Sequence, residues 1–220
     1  MRRSRAVVLT FVLLAACAAR QPGRPADFSG FLDDYKLLRP GGRGEVALVY
    51  RNPDAAWTTY DKVLLEPATL WRSGRKSLDA VPEGDLLRLI DDLERAVRRR
   101  LGEGFRLVDQ PEPGTMRIRL AITEARSADP VLDVMRGRDD GTVTGEGALD
   151  AETRRFVERA AIEGEIRDAA TNQLLAAGVE RRREGAPPLD TWSALDGALA
   201  HWADRVCARL EARTHGVAPR

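Results

Sequence analysis

The sequence predicts an α+β domain, with one mixed or mainly antiparallel sheet and two main helices packed on it. Three observations predict it. "TMRIRLAIT" alternates strictly, with Met116, Ile118, Leu120 and Ile122 on one side and Arg117 and Arg119 on the other. That is the period of a strand with one buried face. "AAIEGEIRD" and "LLAAGVERR" flank the turn-forming "AATNQ", the pattern of a hairpin. Two longer segments repeat apolar residues at steps of three and four, the period of amphipathic helices.

In chain order, residues 1–16 come first. Arg2, Arg3 and Arg5 precede an apolar run from Ala6 to Leu14, broken only by Thr10. A positive start followed by a short apolar core is the grammar of a secretory signal peptide. The run is too short for a membrane span, which needs about 20 residues. Leu14-Ala15-Ala16-Cys17 resembles a lipobox at every position, with small residues that let the backbone lie extended in a peptidase cleft. The expectation is transfer of a diacylglyceryl group to the Cys17 thiol, cleavage before Cys17 and acylation of the new amine, with palmitate-like chains. One chain binds a bilayer marginally and two or more bind it firmly. Ala18 follows, where an Asp would favour inner-membrane retention, so the expected place is the periplasmic face of the outer membrane. The alternative is an inner-membrane lipoprotein.

Cleavage removes three of 35 basic residues against 34 acidic ones, taking the formal charge from +1 to −2. A nearly neutral mature chain gives no reason to expect a nucleic-acid partner. Lipidation of Cys17 leaves Cys207 without an intramolecular partner, so no disulfide framework is predicted.

Residues 17–29, rich in Ala, Pro and Gly, read as a flexible tether. A single domain over 30–213 and a disordered tail at 214–220 complete the division. At the domain's start, "GFLDDYKLL" is more apolar than a tether requires. Phe31, Leu32 and Tyr35 are candidate docking residues for a partner, unless they pack on their own domain. "EVALVY" and "KVLLEPATLW" read as strands bounded by Gly, Pro and Asn. A helix near 83–101 carries Leu86, Ile90, Leu93, Val97 and Leu101 on one stripe, with Pro82, Glu83 and Asp85 suited to its start and Gly102 to its stop. Residues 135–155 are polar and read as a mobile surface loop. "FVERAAIEGEIRD" then reads as a strand with Phe156, Ala160, Ile162, Gly164 and Ile166 inward. The last helix, near 191–212, repeats Trp192, Leu195, Leu199, Trp202, Val206 and Leu210, with Thr191 or Asp190 as cap.

The phrases "SGFLDDY", "LVYRNPDAAW", "YDKVLLEPATLW", "LVDQPEPGTMRIRLAIT" and "GEIRDAATNQLLAAGVERR" make the chain similar to the proteobacterial lipoprotein family of domain of unknown function 3313. The resemblance runs from about Ser29 to the end and is interrupted around 135–155, where similar chains tend to be more apolar. It implies fold and location and brings no established activity.

No catalytic constellation, metal set or cofactor fingerprint is legible. There are two histidines: His201 sits beside an apolar stripe and His215 in the tail. The pairs Asp33-Asp34, Asp91-Asp92 and Asp139-Asp140 are adjacent residues that point apart on a helix or strand, and Asp91 is expected to pair with Arg95. "RGRDDGTVTGEG" lacks the alternating acids and closing Glu of a calcium loop. Arg98 to Arg100 suit the negative end of a helix dipole. Arg181 to Arg183 close a strand, either solvated or gripping an anionic partner. Cys207 is expected to be a partly buried small hydrophobe. The resulting expectation is a non-enzymatic, lipid-anchored envelope module that binds an envelope protein or cell-wall component. The alternatives are an envelope enzyme acting on lipid or cell wall, or a carrier of an apolar ligand.

Overall fold

The computed structural model describes residues 28–72, 76–124, 145, 147–183 and 185–216. Eight strands form one sheet: β1 (Arg39–Pro40), β2 (Leu48–Arg51), β3 (Lys62–Leu65), β4 (Thr69–Leu70), β5 (Arg106–Leu107), β6 (Thr115–Glu124), β7 (Ala160–Asp168) and β8 (Leu174–Arg181). Their order is β1-β2-β8-β7-β6-β3-β5, with β4 pairing β6 further along the same edge. Pairing is antiparallel from β1 to β6 and parallel from β6 to β3 and β5, so the sheet is mixed.

Helices α1 (Glu83–Gly104) and α3 (Trp192–Thr214) pack against each other and against one face of this sheet. A third, shorter helix, α2 (Ala151–Arg159), leads directly into β7. The α+β class is thus the architecture of the molecule.

"KVLLEPATLW" is two strands rather than one. β3 pairs β6 from Thr115 to Ile118, β4 pairs it at Ala121 and Ile122, and the register slips by one residue between them. Pro67 lies at the break and has no N–H to donate to a ladder.

Phe156 belongs to a helix, not to the strand expected from that point. α2 starts behind Asp150, whose side chain accepts from the Glu152 N–H, and buries Thr153, Phe156 and Val157. Those three sit at helical spacing, and Thr153 Oγ1 donates to Asp85 Oδ2 on α1 at 2.5 Å. The end of the expected loop is therefore ordered. Its residues 135–144, with Asp139 and Asp140, lie outside the described residues, as do the signal peptide and Cys17.

The two long helices begin as the sequence suggests. Thr191 caps α3 by accepting from the Ala194 N–H, and Pro82 stands just before α1. α1 runs past Gly102 and stops at Phe105, whose extended backbone leaves the helix. The buried stripe of α1 is Leu86, Leu89, Leu93, Val97 and Leu101, with Ile90 only half-buried.

The sheet's other face is covered as well. Ala121 and Thr123 on β6 are fully buried there, together with Ala161 on β7 and Val179 on β8. Phe31, Leu32 and Leu38 lie over them. So β6 buries both faces in its second half, where alternation predicted one.

Candidate functional site

The cover over residues 28–38 is built around one hydroxyl. Tyr35 Oη donates to Glu163 Oε2 at 2.5 Å and accepts from the backbone N–H groups of Gly30 and Leu32 at 3.1 and 3.2 Å. Burial first, and then the bond to Glu163, raise the Tyr35 pKa. Thr123 Oγ1 donates to the other Glu163 oxygen at 3.0 Å. Beside it, Glu165 accepts from Arg119 Nη1 at 2.7 Å and Arg167 Nη2 at 2.9 Å. Arg167 also reaches Asp33 at 2.6 Å, and the Arg119 guanidinium lies 5.2 Å from the Phe31 ring centre. Both glutamates are only 2% exposed.

These contacts settle where Phe31, Leu32 and Tyr35 go. Phe31 and Leu32 are buried against their own sheet and Tyr35 is turned inward to Glu163, so they present no docking face. An amphipathic segment next to a strand face carrying charged side chains satisfies those charges and covers its own apolar residues in one arrangement. The charged face and its cover hold the fold together.

The accessible site is on the other side. A cleft of about 960 Å³ opens between α2, α3 and the ends of β7 and β8. Its floor is apolar: Ile122, Phe156 and Val157, all buried, and half-buried Ile162 from below, with buried Leu195 and Leu199 from α3. Its rim is basic: Arg43 and Arg183 are exposed, Arg182 and Arg205 half-buried, and His201 stands beside them. The run Arg181 to Arg183 therefore closes a strand at the edge of a cavity. Hydropathy along the chain did not show this, because Arg43 and Arg205 come from distant segments.

Arg205 is held in place. Its Nη1 donates to the Glu45 carbonyl at 3.2 Å and its Nη2 pairs with Glu180. Arg209 Nε donates to Gly44 O at 2.8 Å and its Nη2 to Arg43 O at 2.7 Å, so α3 fastens the loop that carries Arg43. Burial works against the Glu45 carboxylate, yet the Gly42 N–H and then Arg51, Arg209 and Arg213 hold its pKa below the ordinary value.

Deeper in, a cavity of about 150 Å³ adjoins the cleft under α3, and Trp202 and Ile162 line both. Gly164 and Gly178 face each other in the sheet beneath it. A side chain at either position would have to displace a neighbouring one: a Cβ at Gly164 would come 2.7 Å from Leu120 Cδ2, and one at Gly178 2.9 Å from Val46 Cγ2. Cys207 lines this cavity at 2% exposure. Burial pushes its thiol up to about 12, with Arg100 pulling the other way, so it stays protonated and unreactive near neutral pH. His215 caps α3, its ring 5.7 Å from that of Phe105.

The adjacent carboxylates separate as their geometry requires. Asp91 is exposed and Asp92 is buried, and Arg95 pairs with Asp92 at 2.6 Å rather than with Asp91. Arg88 adds a 3.4 Å contact to Asp92 and stacks 4.0 Å over the Trp192 ring. Among the described residues no three His, Cys, Asp or Glu side chains gather to hold a metal.

Across the helix pair, Asp196 faces Asp92. Burial first, then the hydrogen bond and charge of Asp92, raise the Asp196 pKa, while Arg88 and Arg95 oppose the rise. A carboxyl whose folded pKa is raised stabilises the fold below its unfolded pKa and loses that stabilisation as pH rises through the folded value. Asp196→Asn is therefore expected to raise stability at pH 7, by under about 1 kcal/mol because Asp196 itself is exposed. The gain should vanish toward pH 4, and urea midpoints at the two pH values check it. A gain confined to the acidic side contradicts the assignment.

Residues 27–206 match the family described as protein of unknown function (DUF3313), and the chain belongs to it. Comparison with curated proteins gave no match. Among solved structures, a PelC dodecamer from Paraburkholderia phytofirmans, a single-residue variant, is similar with 14% identity and a TM-score of 0.35. That likeness covers 75% of this chain and 95% of the other. At that score it bears on no functional argument.

Proposed function

We propose that this protein is a non-catalytic binding module of the cell envelope, held to a membrane by acylated Cys17, and that the α2–α3 cleft is where it binds. The cleft is the observation that carries the binding reading. Its volume falls in the upper part of the range for small-molecule sites, about 300–1,000 Å³. An apolar floor under a rim of fixed positive charge suits a carrier of an apolar ligand better than a cell-wall polymer, which would need polar groups along its whole length.

The anchor rests on Leu14-Ala15-Ala16-Cys17 behind a basic start and a short apolar run. Ala18 supports the outer membrane, periplasmic face, as the destination. No helix among the described residues is long and apolar enough to cross a membrane, so this reading gives the attachment to lipid alone.

Membrane fractionation with mass spectrometry of the mature N-terminus tests the anchor. The parent is expected to begin at an acylated Cys17 and to fractionate with the outer membrane. Cys17→Ser should lose the modification and that distribution. An unmodified Cys17 in the parent, or a processed variant that stays membrane-bound like the parent, would sink the anchor.

A further inference from the structure

We propose that the arginine-rich face built by the β1–β2 loop and the C-terminal half of α3 sits on an anionic lipid surface, with its guanidinium groups on lipid phosphates, and that the α2–α3 cleft opens at that surface. The choice of lipid rests on the membrane anchor proposed above; the charge of the face does not.

The last turns of α3 sort their charges by helical face. Arg205, Arg209 and Arg213 recur at steps of four and turn to the loop between β1 and β2. The acids of the same stretch, Asp204 and Glu211, turn to α1, where Arg100 Nε lies 3.7 Å from Asp204 and its Nη1 2.5 Å from Glu211. On the loop side, Arg51 Nη1, Arg213 Nη2 and Arg209 Nη1 approach one oxygen of Glu45 at 2.7, 3.5 and 3.7 Å. Arg205 pairs with Glu180. Exposed Arg43, whose carbonyl is held by Arg209, adds a fifth positive charge. The whole chain carries 35 basic against 34 acidic side chains, so five arginines against two carboxylates among the described residues is a local concentration.

That concentration is costly to the chain and useful against an anion. Burial first, and then the charge of Arg51, lower the Arg213 pKa; Glu45 opposes the fall and Arg209 adds to it. Arg51, Arg209 and Arg213 keep 43, 27 and 26% of their side-chain surface in water, so an anion arriving from outside reaches them. A guanidinium is weakly hydrated and presents a fork that matches phosphate oxygens. An anionic leaflet attracts such groups within a screening length. Arg43 and Arg205 also line the cleft, which brings its mouth to the same surface.

The test uses the full chain purified from an expressing bacterium and phosphatidylcholine vesicles with or without phosphatidylglycerol. Phenylglyoxal modifies accessible arginines, and mass spectrometry reads each site. Phosphatidylglycerol should slow modification of Arg43, Arg51 and Arg213 several-fold. It should leave Arg72 unchanged, which is exposed and follows β4, across the sheet from β1 and β2. The protection should vanish in about 1 M salt, where the screening length falls to about 3 Å. Arg43→Glu with Arg183→Glu reverses two exposed charges and leaves the Glu45 contacts in place. It should abolish protection of Arg51 and Arg213 while circular dichroism matches the parent. Equal modification with and without phosphatidylglycerol, equal protection of Arg72, or protection that survives the double substitution overturns the proposal. So does protection by soluble polyglutamate in place of phosphatidylglycerol, which would assign the face to an acidic protein. Flotation with phosphatidylcholine alone, which carries no net charge, reads the anchor separately. Failure there removes the anchor and leaves the face to be decided by phosphatidylglycerol.

Discussion

Replacing Glu165 with alanine is expected to cost about 3 kcal/mol of folding stability, read as a fall in the urea midpoint at unchanged slope. Glu165 is nearly inaccessible, and Arg119 and Arg167 converge on its two oxygens. Removing one member of a buried pair costs about 3–5 kcal/mol, because the partner charge stays out of water without compensation. Arg167 keeps 12% of its side chain exposed and retains Asp33, which places the expectation at the lower end. Glu165→Gln retains an acceptor without the charge and should fall between parent and alanine. A loss below about 1 kcal/mol for Glu165→Ala would show that the arginines reach solvent once released.

The second large effect lies on the helix side of the sheet. Leu93 is 0% exposed, on the face of α1 turned to the core, and Leu93→Ala should cost about 3 kcal/mol by lost transfer energy and a residual void. Ile90→Ala, half-buried on the flank of the same helix, should cost clearly less. Equal costs for the two would mean that α1 is rotated from the orientation described.

That pair also shows how far periodicity reaches. A stripe of Leu86, Ile90, Leu93, Val97 and Leu101 fits a 3.6-residue period as well as the observed stripe, which takes Leu89 in place of Ile90. The period locates a helix and leaves its rotation free by one residue position, which only the packed partner fixes. α3 repeats the lesson. Val206 is half-buried, and its neighbour Cys207 takes the core position. The α+β class and the β7–β8 hairpin were legible because each rests on local alternation or a local turn. α2 was not, since its nine residues run straight into β7 and share an inward-facing pattern with it.

The candidate site was legible only in fragments. Arg181 to Arg183 and His201 stood out as residues, but their common cavity depends on Arg43, Phe156 and Arg205, which lie far apart in sequence. The docking reading of Phe31, Leu32 and Tyr35 weighed apolarity without its counterpart. Glu163 and Glu165 alternate with Ile162, Gly164 and Ile166, so the outward residues of β7 include two acids that need covering. The tyrosine hydroxyl that covers one of them lies 128 residues earlier.

The cover segment has a mechanical consequence. The Phe28 ring stacks 4.2 Å from that of Tyr35, and the Ser29 carbonyl accepts from the Trp71 indole N–H at 3.1 Å. A pull applied at Phe28 meets Tyr35–Glu163 and Asp33–Arg167 before it reaches β1. Those links join the cover to β7, an interior strand of the sheet, so the load spreads across the ladders on both sides of β7. The segment acts as a strain relief between Phe28 and the helices, which sit on the opposite face of the sheet.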